Sequence, residues 1–297
     1  MTRGVSLSVL ASVLFGVMYY YTTLLAPLNG QDIFAWRMIF TVPFLLAFVA
    51  MTGEQHLVNA IWARLKQQPA LIFVLLLSSA LMGVQLWLFL WAPLHDKALE
   101  VSLGYFMMPL TMVLTGRLVF HERLTRLQML AVGSALLGVT HELFRIGSFS
   151  WPALVVALGY PLYFVLRRKF KLDNIGGFWF DMALLMPVAF GFAWVGQLDW
   201  PLAQQQPQLM WLLPILGVIS AAALIAYILA SRLLTMGLFG LLGYVEPVLL
   251  LFVALLIGER LEPQEFFTYG PIWLAVGFLV LEGLLFLRRQ IPIFKRI

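Results

Sequence analysis

Five ionisable residues sit within the apolar stretches of this sequence, and chemistry would have to start from them: Glu246, Asp181, Arg37, Glu100 and Glu282. A charge inside a membrane span costs roughly 2.5 kcal/mol or more at the centre, so each marks a candidate site. Glu246 lies deepest, beside Pro247. A carboxylate there suits proton coupling or cation binding, and the proline frees a backbone carbonyl next to it. The alternative is a structural glutamate bonded to a neighbouring helix. Asp181 and Arg37 occupy equivalent places in two halves of the chain. They could pair with each other, Arg37 could hold an anionic group, or each could snorkel to its own surface. Glu100 opens a span, where it either faces a cavity or simply caps a helix at its positive end. Glu282 falls late in the last span, near a surface.

Around these stand polar and aromatic residues able to line a cavity. Gln85 is the only amide deep in its span. Tyr19, Tyr20, Trp87, Tyr105, Tyr160, Tyr163, Tyr227 and Tyr244 offer rings and hydrogen-bonding groups, whereas Trp36, Trp91, Trp151 and Trp179 fit interfacial belts. The expected substrate and coupling cavity is therefore Glu246, Arg37, Asp181, Gln85, Glu100, Tyr105 and Tyr244. Enzyme signatures are missing. His-Glu occurs at His121-Glu122 and His141-Glu142, but the metalloprotease pattern needs a second histidine where Thr125 and Arg145 stand. No phosphate-binding G-x-x-x-x-G-K-[ST] stretch occurs, and the chain has no cysteine for thiolate metal sites. No catalytic group, cofactor or metal is expected, and no nucleotide would be hydrolysed through a phosphate-binding loop.

The elements that must position these residues follow from composition. Hydrophobic residues make up 62% of the 297 residues and charged ones only 11%, against about 25% charged in soluble domains. Mean hydropathy is +0.93. The apolar runs are continuous and close to the ~20 residues a helix needs to cross the hydrocarbon, not the alternating segments of a β-barrel. The fold class is thus an all-α polytopic membrane protein. Ten spans are read: 5–26, 32–51, 70–91, 100–120, 125–144, 149–166, 175–195, 209–230, 237–257 and 266–287. A polar loop is expected from 52 to 69. The first run is too long for a signal-peptide core and lacks a cleavage site, so it is read as a span.

Loop cations set the orientation. One side collects Arg3, Arg64, Lys66, Arg117, Arg123, Arg126, Arg167, Arg168, Lys169, Lys171, Arg232, Arg288, Arg289, Lys295 and Arg296. The other holds Lys97, Arg145 and Arg260, with Arg37 near a helix end. Both termini are therefore placed in the cytoplasm. The net charge of +5 reflects these loops and is no nucleic-acid signal.

The two halves repeat. Gly104-Tyr105, Pro109 and Glu122-Arg123-Leu124 return as Gly243-Tyr244, Pro247 and Glu259-Arg260-Leu261. Trp36-Arg37 aligns with Phe180-Asp181 at the same offset that aligns Pro43 with Pro187 and Leu130-Ala131-Val132-Gly133 with Leu274-Ala275-Val276-Gly277. Gly4, Gly16 and Tyr20 match Gly147, Gly159 and Tyr163. Each half, 1–145 and 146–297, has five spans, and an odd number inverts the second half relative to the first. This is the architecture of many secondary transporters, with substrate handled near the midplane where the halves meet. Gly133, Gly138, Gly237, Gly240 and Gly243 are read as close-packing positions.

These hairpins resemble the paired EamA domains of the drug/metabolite transporter superfamily, and more closely its RarD-type branch. The similarity rests on LEVSLGYFMMPL (99–110), GRLVFHERL (116–124), EPVLLLFVALLIGER (246–260) and PIWLAV (271–276). Span 1 departs from the family pattern, with Phe15-Gly16 for a Trp-Gly pair and Thr22 or Thr23 where a lysine is usual. The resemblance implies ten transmembrane helices in two inverted five-helix EamA repeats, a central cavity and alternating access. The implied partners are a small organic substrate, protons as candidate coupling ion, and the lipid bilayer of the inner membrane.

Overall fold

The computed structural model describes residues 2–91, 98–147, 151–196, 205–246, 248–249, 264 and 266–290. Among the described residues every regular element is helical. They are α1 (Thr2–Thr22), α2 (Gly30–Thr52), α3 (Gln55–Gln67), α4 (Leu71–Trp91), α5 (Ala98–Phe120), α6 (Arg126–Ile146), α7 (Trp151–Lys169), α8 (Ile175–Val195), α9 (Leu209–Leu233), α10 (Met236–Leu242) and α11 (Phe266–Gln290). By length and composition, α1, α2, α4, α6, α8 and α9 can each cross a membrane, and α5 and α11 carry shorter apolar stretches, Gly104–Phe120 and Phe266–Glu282.

Local sequence sets the helix starts. Asn29 accepts from the Asp32 N–H at 2.9 Å, Asn174 from Gly177 at 3.0 Å, and Thr125 forms a capping box with Gln128. These side chains satisfy backbone donors that a helix leaves orphaned in its first turn. Gly53 (φ 71°) and Gly147 (φ 73°) end α2 and α6 in the left-handed conformation that glycine adopts without a Cβ penalty.

Two expectations need correction. The stretch read as a polar loop contains α3, a 13-residue amphipathic helix. Its apolar residues fall at helical spacing, with Ile61 buried against Leu71, Leu75, Leu172 and Phe180 and with Val58 and Leu65 packed alongside. At about 1.5 Å per residue it is too short to span, so average hydropathy hid it. The ninth span does not begin as one straight helix. α10 ends at Leu242, and Gly243 and Tyr244 form a tight turn with i→i+3 bonds before Val245 and Glu246 resume helical geometry. The remainder of that span, with Pro247 and the Glu259-Arg260-Leu261 exit, lies outside the described residues.

The strong helix contacts cross between the two halves of the chain: α1 with α9, α2 with α8 and α9, α4 with α7 and α8, α5 with α7 and α10, and α6 with α11. One apolar core runs through them, including Phe34, Met38, Met82, Met112, Phe164, Phe178, Leu224, Phe239 and Tyr244. Small residues set the close approaches. A Cβ on Gly138 would stand 2.5 Å from the Thr268 carbonyl oxygen, and one on Gly104 2.7 Å from that of Ala153. Gly133, expected to pack in the same way, faces open space.

Candidate functional site

A cavity of about 40 Å³ lies where α1, α2, α4, α5, α7, α9 and the residues after α10 converge. That is room for roughly three waters. Its walls carry Arg37 from α2, Gln85 from α4, Tyr105 from α5, Tyr160 from α7, Tyr227 from α9 and Glu246 from beyond the α10 break. Phe15, Met18, Met82, Leu86, Phe89, Met108 and Leu224 complete the lining.

Two of the polar groups are held by hydrogen bonds from neighbouring helices. Arg37 is buried, and its Nε donates to Ser220 Oγ on α9 at 2.9 Å. Its own carbonyl accepts from Thr41 Oγ1 at 2.6 Å, one turn on. The Nε bond orients the guanidinium from the side and leaves the terminal amino groups of the fork for other partners. Gln85 Nε2 donates to the Val155 carbonyl at 2.8 Å. This requires Gly159 on α7, because a Cβ there would collide with that same amide nitrogen. Gln85 Oε1 is buried without a hydrogen-bond partner among the described residues. A buried acceptor in that state is costly unless water or a ligand meets it.

The aromatic wall is continuous. Tyr105 and Tyr160 have ring centroids 6.3 Å apart, and Tyr105 packs edge-on against Phe89 at 5.9 Å. Tyr227 meets Phe15 at 6.0 Å and Phe239 at 4.8 Å. Glu246 joins this wall two residues beyond the Gly243-Tyr244 turn, which Tyr244 ties to α5 by donating its hydroxyl to the Phe106 carbonyl at 2.9 Å.

The cavity thus brings together Glu246, Arg37, Gln85 and Tyr105 of the expected set. Tyr244 is fully buried beside it, holding α5 to the turn. Asp181 lies elsewhere. It is bonded to Arg167 Nη1 and accepts from Tyr163 Oη at 2.9 Å, while Ser79 Oγ donates to its carbonyl at 2.9 Å. Arg167 continues the network to Tyr163 Oη at 2.9 Å and to the Asn174 carbonyl at 2.8 Å. Arg37 therefore pairs with Ser220, and Asp181 with Arg167. Glu100 falls in α5, and its side chain lies outside the described residues, as does that of Tyr19. Tyr20 is half exposed on α1. Glu282 accepts from Thr125 Oγ1 at 2.8 Å, tying α11 to the start of α6.

Sequence reasoning missed Ser220 and the methionines. A serine in an apolar helix carries no mark of its partner, and methionine at helical spacing reads as core. It also placed Arg167 in a loop. The run Arg167–Lys169 instead forms the last turn of α7, where cations complement the helix C-terminus.

The EamA-like transporter family matches residues 2–141. An uncharacterized transporter of Pasteurella multocida is 47% identical over 98% of this chain and 99% of its own. The chloramphenicol-sensitive protein RarD of Pseudomonas aeruginosa is 46% identical, covering 97% of each chain. Protein RarD of Escherichia coli is 29% identical, again over 97% of both. A protein of known crystal structure superposes with a TM-score of 0.67 at 17% identity, over 98% of this chain and 99% of its own, which shows a common fold. The multi-pass helical architecture, the whole-length similarity and the matched motifs agree: the chain belongs to the RarD-type branch of the EamA-like transporter family.

Proposed function

We propose that the chain is a secondary active transporter that exports a small organic metabolite across the bacterial inner membrane by alternating access, with Glu246 as the proton-coupling group. The observation that carries this reading is the cavity at which Arg37 from one half and Glu246 from the other face each other's surroundings, walled by Gln85, Tyr105, Tyr160 and Tyr227. A polar pocket inside an apolar bundle, built from both halves, is where a transporter handles substrate. The proposed architecture is ten spans in two inverted repeats, 1–145 and 146–297, with both termini cytoplasmic. The contact pattern supports it. If each span of one half exchanges with its counterpart in the other, α1–α9 exchanges with α7–α4 and α2–α9 with α8–α4. The pairs α2–α8, α5–α10 and α6–α11 map onto themselves. Such an exchange is what a two-fold relation between the halves predicts, and the α5–α7 contact finds a smaller counterpart in α1–α10. Glu100 and Tyr244 complete the proposed set, Tyr244 by holding the turn that carries Glu246, while Asp181 serves the Arg167 network away from the cavity.

The test is uptake of a mixed small-metabolite pool into proteoliposomes, with and without an imposed pH gradient, read by mass spectrometry. Enrichment of one chemical class only under the gradient is the expected result, and Glu246→Gln is expected to abolish the gradient dependence. Enrichment that equilibrates without exceeding the outside concentration would instead make the protein a passive facilitator. Pumping by Glu246→Gln with an unchanged pH dependence would remove Glu246 from coupling.

A further inference from the structure

Two ion pairs lie near the C-terminal end of α7, and they differ in a way that assigns them different roles: Arg167–Asp181 joins α7 to α8 within the second half, whereas Arg168–Glu122 joins the second half to the first. Arg167 and Asp181 are 1% and 0% exposed at their side chains. Arg168 and Glu122, one residue further along α7, are 18% and 13% exposed, with Arg168 Nη1 3.4 Å from Glu122 Oε1. Separating a dry pair leaves uncompensated charges in a low-dielectric interior, whereas a pair already touched by water is rehydrated as it opens. The first pair is therefore a fixed joint and the second can cycle.

The second pair also holds what a gate would need to hold. Glu122 sits in the turn after α5, within the motif that closes the first hairpin. Its two carboxylate oxygens accept from the backbone N–H groups of Met236 at 2.7 Å and Gly237 at 2.8 Å, the first turn of α10 in the other half. Thr235 already caps that turn through Leu238 at 3.3 Å, so the helix can form without Glu122. Arg168 Nη2 meanwhile donates to the carbonyls of Ser231 at 2.8 Å and Leu234 at 2.9 Å at the end of α9, and the guanidinium lies 5.1 Å over the Phe120 ring. α5, α7, α9 and α10 are thus fastened at one point. Glycines make the seam smooth. A Cβ on Gly116 would stand 2.5 Å from Glu122 Oε2 and 3.0 Å from the Gly237 nitrogen, and one on Gly240 would meet Met112. Further along the seam α5 presents Tyr105 and Met108 to the cavity, and α10 leads through its turn to Glu246.

We infer that Glu122 and Arg168 form a releasable clasp that seals the cavity at the α5–α10 seam, and that its opening is the step that exposes the cavity on that face. The inference rests on transport by this chain and not on any role for Glu246. The absence of cysteine in the sequence makes the test clean. A single reporter, Met108→Cys, is placed in the cavity wall and labelled with a membrane-impermeant maleimide in right-side-out and in inside-out vesicles. Glu122→Gln keeps the shape of the side chain but weakens both the ion pair and the capping of α10. It is expected to raise labelling several-fold from one face only, with the other face unchanged. Arg168→Gln, which leaves the Glu122 bonds to α10 in place, is expected to raise it on the same face by less. Unchanged labelling in protein that elutes as a single monodisperse species would overturn the clasp. Equal increases from both faces would also do so, because they would report general loosening. If neither variant folds, the cluster is a fixed joint and the inference fails. Uptake that ignores the pH gradient, together with a positive labelling result, would leave the clasp standing and remove only the coupling proposal.

Discussion

At the residue scale the molecule separates groups that hold shape from groups available for work. Asp181, Arg167 and Tyr163 form a dry network, with two ion-pair partners and a hydroxyl each bonded to the others. Removing one partner strands a buried charge, an effect that costs about 3–5 kcal/mol. Asp181→Asn is therefore expected to lower the melting temperature of the detergent-solubilised protein by on the order of 10 °C, at about 2–4 °C per kcal/mol for chains of this size. An unchanged melting temperature would show that the network relaxes and accepts an amide. Gln85 behaves differently. One end is anchored to the Val155 carbonyl and the other is a buried acceptor without a protein partner among the described residues. Gln85→Leu should leave thermal stability within about 1 kcal/mol, since one neutral hydrogen bond is exchanged for an apolar side chain, and should lower substrate affinity in the uptake assay. Unaltered affinity would place Gln85 outside substrate contact.

At the element scale the controlling features are the broken helix and the glycines beside it. α10 runs for only seven residues before the Gly243-Tyr244 turn. Beyond that break Glu246 lines the cavity together with residues of α2, α5, α7 and α9. Tyr244→Phe deletes only the hydroxyl bonded to the Phe106 carbonyl, a loss of about 1 kcal/mol in stability. The larger effect is expected on transport rate, because the turn loses its tether to α5. A variant with wild-type rate would show that packing alone fixes the turn. Gly159→Ala tests the opposite contact. Its methyl would collide with the Gln85 amide, so the expected result is displacement of Gln85, read as loss of transport in protein that still folds.

At the scale of the whole molecule the two halves are not independent domains. Almost all the strong helix contacts run from one half to the other, so neither half buries its own apolar faces alone. Residues 1–145 and 146–297 expressed as separate chains in one cell are therefore expected to co-purify through a tag on either, and each alone is expected to aggregate. Recovery of a stable single half would contradict shared burial. The same interleaving explains why the cavity is central: it forms where helices from both halves must meet around polar groups that no single half can satisfy.

Composition and hydropathy by themselves determined that this is a multi-pass helical membrane protein, because a chain so apolar has no polar surface to clothe itself in water. Repeated motifs carried the internal repeat reading and the family resemblance, and the scarcity of charge within apolar runs pointed to Glu246 and Arg37, and equally to Asp181, Glu100 and Glu282, with Gln85 marked as a lone amide, before any geometry. What the tertiary structure alone decided was partnership. Arg37 and Asp181 stand at equivalent sequence positions, yet one bonds Ser220 and the other Arg167, because helix rotation and approach set which faces meet. α3 was hidden because hydropathy averages over a window, while its burial depends on a one-sided apolar stripe finding α4 and α8. The motif glutamate Glu122 was legible as a loop residue but not as a cap on α10, since its partners are backbone N–H groups that carry no side-chain signature in sequence.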